Sequence, residues 1–205
     1  MTMTLYYSPA ACSLAPHIVL REIGATFDLV KVSTKSHKTE SGGDFYAVNP
    51  KGYVPALKLA DGQILTEGPA ITQHLADGKP ESGLAPKPGT IERARVNEWL
   101  VFIGTELHKS FSPLFNPAST DEMKTASKER ITTRLGFVET ALGDGRSYLT
   151  GETFTVADAY LFTVANWTNF TAIDLGPWPK LKAFQARVAA RPHTQAALKA
   201  EGLAG

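Results

Sequence analysis

One cysteine, Cys12, stands in a chain of 205 residues, so no intrachain disulfide can form. The fold must then be held by its core alone, as expected in a reducing compartment. An excess of one charge is missing too: 21 Lys and Arg face 20 Asp and Glu, the net charge is +1, and the basic residues are scattered. That balance points to neither nucleic acid nor an anionic membrane as a partner. No stretch approaches ~18 uninterrupted apolar residues, and Met1 to Tyr7 shows no basic leader followed by an apolar block. The expectation is a soluble, unexported, cytoplasmic protein. Also lacking are a Gly-rich phosphate loop, a zinc pattern and a serine-hydrolase elbow. His17, His74 and His193 have no metal-ligand spacing with Cys12 or with one another, so no metal is expected. There is no internal repeat or low-complexity segment.

What is present is 43% apolar residues, enough for a substantial core, arranged in two halves of different periodicity. From Thr4 to about Ala76 short strand-like runs alternate with helical ones, the pattern of a sheet covered by helices. The spacing predicts strands over Thr4 to Tyr7, Thr26 to Val32, Ala56 to Leu59 and Gln63 to Leu65, the last two joined by the turn signal Asp61-Gly62. It predicts helices over Leu14 to Ile23, stopped by Gly24, and over Pro69 to Ala76. Two prolines and a glycine exclude a regular helix from Ala47 to Pro55. Glycines and prolines crowd the run Gly83 to Gly89, which places a linker over 79–89 between domains at 1–78 and 90–205.

Beyond Thr90 the pattern is helical. Val96, Leu100, Ile103, Leu107, Phe111 and Leu114 form one stripe; Ile131, Leu135, Val138 and Leu142 form another. Val156 to Trp167 is apolar almost all round, which marks a central buried helix. Thr155 can cap it while the Asp158 carboxylate reaches back, so Asp158 is read as structural.

Four places could carry chemistry. Cys12 lies between the first strand and the first helix, where free amides and the helix dipole favour an anion. A pKa shifted from ~8.5 to ~7 would raise its reactivity roughly tenfold; the rival reading is a small buried apolar residue. At about 100° per residue, Val101, Thr105 and His108 share a face away from the core stripe. There His108, with a pKa near neutrality, is either an acid, base or hydrogen-bond donor or an ordinary solvated histidine. Glu67-Gly68-Pro69 opens a helix whose free amides can hold a carboxylate, with Glu67 ready for an ammonium; alternatively Glu67 is a solvated acid. A cis Val54-Pro55 bond would turn the Val54 amide and carbonyl toward an extended peptide ligand; a trans bond would make this an ordinary turn.

Together these pieces resemble the glutathione transferase family over essentially the whole chain. The resemblance rests on Asn49-Pro50-Lys51-Gly52-Tyr53-Val54-Pro55-Ala56-Leu57 and Thr66-Glu67-Gly68-Pro69-Ala70-Ile71. The segments Cys12 to His17, Glu106 to Phe111 and Ala200 to Leu203 look specifically like the bacterial beta class. The resemblance implies a thioredoxin-like α/β domain followed by an all-α domain, with glutathione as cosubstrate and a homodimeric assembly. It implies Cys12 and His108 as catalytic groups at the glutathione sulfur, with Ser13 and Tyr7 as further donors. It also implies glutathione contacts from His37, Val54, Pro55, Glu67, Gly68 and Thr105. Two positions depart from the pattern, His37 in place of the usual lysine near the glycyl carboxylate and Val101 in place of an asparagine, so weaker binding is expected at that end; Gly68 also replaces a serine common in the wider family but leaves the backbone amide available. The implied reaction joins the glutathione thiolate to a small hydrophobic electrophile, such as a chlorinated aromatic, held near Phe111, Phe115 and Trp167. Mixed-disulfide chemistry at Cys12 is a further expectation. The alternatives are a glutathione-dependent thiol-disulfide oxidoreductase and a non-catalytic dimeric ligand-binding protein.

Overall fold

The computed structural model describes residues 2–203. Its first half contains β1 (Met3–Tyr7), α1 (Leu14–Glu22), β2 (Phe27–Lys31), β3 (Ala56–Lys58), β4 (Ile64–Thr66) and α2 (Gly68–Asp77). The strands form one sheet in the order β2-β1-β3-β4. β1 and β2 are parallel with Leu5 opposite Leu29, which requires the intervening α1 as a crossover. β3 runs antiparallel to both neighbours, pairing Leu57 with Leu5 and with Leu65. Gly62, at φ +91°, supplies the left-handed residue that closes the β3–β4 hairpin. This mixed sheet with its helices is the thioredoxin-like architecture expected above. The predicted strands and helices fall where the alternation placed them, with ends shifted by a residue or two.

Within 79–89 the chain makes a tight helical turn at Pro80–Ser82 before Thr90, whose hydroxyl accepts the Arg93 amide at 3.3 Å. There follow α3 (Ile91–Phe102), a π-helical segment (Ile103–His108), α4 (Lys109–Phe115), α5 (Asp121–Ala141), α6 (Val156–Ala165), α7 (Thr168–Thr171), α8 (Pro179–Ala189) and α9 (Pro192–Ala200). The single long stripe read from Val96 to Leu114 is therefore interrupted by the wider π turns. Its core members Val96, Leu100, Ile103, Leu107 and Phe111 are nevertheless all buried.

Every residue of α6 is buried, as its all-round apolar pattern predicts. The Asp158 carboxylate accepts from the Thr155 amide and from the Leu149 amide, each at 2.8 Å, fixing the start of the helix. α1 packs against both α6 and α9, so one apolar core runs through both halves of the chain. Deleting a side chain such as Leu161 there would cost about 2–5 kcal/mol in transfer and cavity terms.

Candidate active site

A cleft of about 620 Å³ opens where the two halves meet. The first half contributes the end of the Cys12 loop, the approach to β3 and the start of α2. The second half contributes α3, the π-helical segment and α6. Cys12, Val54, Pro55, Glu67, Gly68, Thr105 and His108 all line this space, brought together from four separate stretches of sequence.

Cys12 sits just before α1, and its thiol donates to the Val54 carbonyl at 3.3 Å. The Val54-Pro55 bond is cis. Contrary to the expected thiolate, burial of the sulfur pushes the Cys12 thiol up to about 11. The backbone amides of Cys12 and Ser13 pull the other way, but loss of solvation outweighs them. Ser13 does not face the cleft: its buried hydroxyl donates to the Ser8 carbonyl at 3.2 Å and accepts the Ser8 amide at 3.1 Å. Tyr7 is also turned away, with its ring 6.2 Å from that of His17 in the core. Neither residue lines the cleft, which leaves the Ser13 backbone amide rather than its hydroxyl near the Cys12 sulfur.

His108 ends the π-helical segment, and its Nδ1 lies 2.6 Å from the Tyr160 hydroxyl of α6. Burial, reinforced by the Lys109 charge, depresses its pKa to about 4 rather than leaving it near neutrality. The ring is held edge-to-face against Trp167 at 4.7 Å. Thr105 lies one turn earlier and donates to the Val101 carbonyl at 2.9 Å. Val101 lines the cleft and is exposed.

Glu67 precedes α2 with a left-handed backbone, φ +71°. One carboxylate oxygen accepts from the Lys51 ammonium at 2.6 Å and from the Tyr53 hydroxyl at 2.9 Å. The Lys51 hydrogen bond, more than any other contact, holds the Glu67 carboxyl below the usual range. The same ammonium also donates to Thr66. Sequence reasoning did not assign roles to Lys51 or Tyr53, although both stand inside the quoted proline motif.

His37 is not part of the cleft wall. Its Nδ1 donates to the Gly52 carbonyl at 2.7 Å, and its ring lies 4.8 Å from Tyr46, so it braces the loop that leads to Val54. Phe111 is fully buried, and Trp167 is buried with its indole N–H on the Ala10 carbonyl at 2.7 Å. Of the three aromatic residues expected around an electrophile, Phe115 alone is well exposed; Trp167 packs against His108, and Phe111 packs against Trp167. Tyr160, absent from the sequence-derived site, enters from a helix whose apolar pattern disguised it. A tyrosine in a buried helix still needs a hydrogen-bond partner, and that was the available signal. Among the described residues no three His, Cys, Asp or Glu side chains converge as metal ligands, and no helix is long and apolar enough to cross a membrane.

Comparison with known proteins gives this cleft a family. Residues 10–77 match the glutathione S-transferase N-terminal domain, and residues 102–192 match the glutathione S-transferase C-terminal domain. Glutathione S-transferase GstA of Escherichia coli O157:H7 is 48% identical over 98% of this chain and 100% of its own length. A bacterial beta class glutathione S-transferase from Sphingomonas chungbukensis superposes with a TM-score of 0.94 at 50% identity, covering 98% of this chain and 99% of that one. A sphingomonad glutathione S-transferase complexed with glutathione gives a TM-score of 0.94 at 49% identity, over 98% and 100% of the two chains. The chain thus belongs to the glutathione S-transferase family, as a transferase of the bacterial beta-class kind.

Proposed function

We propose that this enzyme binds glutathione in the interdomain cleft and joins its sulfur to small hydrophobic electrophiles, chlorinated aromatics among them. The observation that carries the reading is the convergence of Cys12, Val54, Glu67, Gly68 and His108 on one space large enough for a tripeptide. Glu67 offers a carboxylate to the γ-glutamyl ammonium, and the amide-rich start of α2 at Gly68 suits the neighbouring carboxylate. The Val54 backbone beside the cis bond suits the extended cysteinyl segment.

The sulfur then falls near Cys12 and His108. With the Cys12 thiol up near 11 and His108 down near 4, both are neutral at physiological pH and act as hydrogen-bond donors rather than as charges. Donors aimed at a sulfur favour its thiolate, and each unit by which they lower its pKa corresponds to about 1.4 kcal/mol. The thiol proton leaves to solvent, the thiolate attacks the electrophilic carbon, a carbon–sulfur bond forms and halide departs with the carbon–halogen electron pair.

The raised pKa of the half-buried Cys12 thiol does not favour the oxidoreductase reading, in which that residue itself must become a nucleophilic thiolate. A Cys12→Ala variant tests this: conjugation of a chlorinated nitrobenzene retained, with mixed-disulfide formation abolished, supports the transferase reading. Equal loss of both activities favours a shared thiol function for Cys12, and normal glutathione binding without turnover across a panel of electrophiles supports a binding protein.

We further read the enzyme as a cytoplasmic homodimer. Trp99, Phe102 and Phe137 form an aromatic cluster with ring spacings of 5.1–5.8 Å, and Phe137 is 55% exposed, a surface suited to a second copy. A monomeric mass in sedimentation equilibrium would remove that reading.

A further inference from the structure

His108 can present a hydrogen to the cleft from only one of its two nitrogens while it is neutral, and something must decide which. The nearest group able to do so is Tyr160. Its hydroxyl lies 2.6 Å from Nδ1, and the residue is 4% exposed at the wall of the cleft, so His108 is its closest partner. Burial raises the phenol pKa above its usual value, and the Glu67 charge adds to this, so the hydroxyl keeps its proton. A buried phenol that keeps its proton donates it to the partner at hand.

Geometry holds the pair in that relation. Tyr160 projects from α6, whose residues are all buried, and His108 from the end of the π-helical segment. The imidazole also packs edge-to-face against Trp167 at 4.7 Å. Trp167 is in turn fixed by its 2.7 Å hydrogen bond to the Ala10 carbonyl. The ring therefore cannot turn to exchange its nitrogens without breaking a packed aromatic contact.

We infer that Tyr160 is a positioning residue that fixes the tautomer of His108, donating to Nδ1 so that Nε2 carries the ring hydrogen and points it at a ligand in the cleft. The inference rests on the proposed role of His108 beside the glutathione sulfur. It extends that role by stating which nitrogen donates and what makes it the donor. Without Tyr160 the ring divides between two tautomers, one of which presents a lone pair to a thiolate. The sulfur loses a donor and its pKa rises.

Histidine-labelled nitrogen NMR of the ligand-free protein at neutral pH reads the tautomer directly. The expected spectrum shows His108 Nδ1 with the shift of a bare ring nitrogen and Nε2 with that of a protonated one. In Tyr160→Phe both signals move toward intermediate positions. A protonated Nδ1 in the unmodified protein overturns the inference whatever the variant does.

Kinetics supply the second arm. Tyr160→Phe should lower kcat for conjugation about tenfold and raise the apparent pKa of the bound glutathione thiol by up to about one unit, with KM for glutathione within about twofold. In a His108→Gln background, where the amide nitrogen donates regardless of Tyr160, the same change should have little effect. An equal loss in both backgrounds would mean that Tyr160 acts through general packing, and would overturn the assignment. Absence of any conjugation by the unmodified enzyme would instead overturn the proposed function, while the NMR arm would still judge the tautomer.

Discussion

The Glu201 carboxylate, just past the end of α9, lies 2.8 Å from Nδ1 of His17 in α1, and neither side chain has any exposed surface. The second carboxylate oxygen accepts the Ala10 amide at 3.1 Å, and Arg21 donates to the far nitrogen of the same histidine at 3.0 Å. Ala10 itself has a left-handed backbone, φ +61°, an unfavourable setting for a residue with a Cβ. Its carbonyl accepts from the Trp167 indole, so both backbone groups of Ala10 are secured by the second half of the chain. The loop that delivers Cys12 is thereby tied to the far end of the sequence.

Removing one member of this buried set leaves its partners without hydrogen bonds. Glu201→Ala strands the Ala10 amide and His17 Nδ1 inside the core, and should lower stability by about 3–5 kcal/mol. Glu201→Gln retains one acceptor and should lose less. Urea denaturation followed by far-UV circular dichroism measures both, and a loss below 1 kcal/mol for the alanine variant would show that solvent or neighbouring groups replace the carboxylate.

Cys12 offers a chemical test of its environment. With its thiol near 11, the thiolate fraction at pH 7 is about one in ten thousand, so the ligand-free protein should react with iodoacetamide far more slowly than a free cysteine does. The rate should climb about tenfold per pH unit through pH 8 to 10. Rapid, pH-independent alkylation near neutrality, followed by intact mass, would mean that the thiolate expected from the helix dipole is present after all.

That contrast also shows what the sequence could and could not disclose. The βαβ alternation, the Asp61-Gly62 turn and the buried pattern of Val156 to Ala165 are local, and each element formed where its residues require. The family motifs named Cys12, Val54, Glu67, Gly68, Thr105 and His108, all of which face one cleft. The signs of the pKa shifts at Cys12 and His108 were not legible, because desolvation depends on neighbours contributed by distant segments. His37 missed the cleft because Gly52 and Tyr46 claim its ring, and an angular count at 100° per residue cannot foresee a π-helical segment. Tyr160 was hidden for the converse reason: its ring satisfies an apolar pattern while its hydroxyl serves the site.

Lys51 and Glu67 give a prediction confined to ligand binding. Their side chains are 48% and 52% exposed, so solvent screens the pair and it adds little to folding stability. Lys51→Met frees the Glu67 carboxylate from its anchor and should raise KM for glutathione by up to about fivefold, with kcat within about twofold and unfolding unchanged. A fall in kcat with constant KM would place Lys51 in the chemical step instead.

His108 makes stability depend on pH with a defined sign. Its pKa is depressed from 6.5 to about 4 in the folded protein, so between those values the unfolded chain binds the extra proton and the native state does not. The stabilising contribution is whole above the unfolded value and is lost as pH falls through the window toward 4. The difference of 2.5 units sets an upper bound of about 3 kcal/mol, since relaxation and water entry reduce it. His108→Gln removes this titration, and loss of the Tyr160 contact adds an offset that does not vary with pH. The stability of the unmodified protein relative to His108→Gln should therefore decline steadily from pH 7 to pH 4.5 in urea titrations. A difference that stays constant over that range would show that His108 keeps an ordinary pKa, and its role as a neutral donor would fall with it.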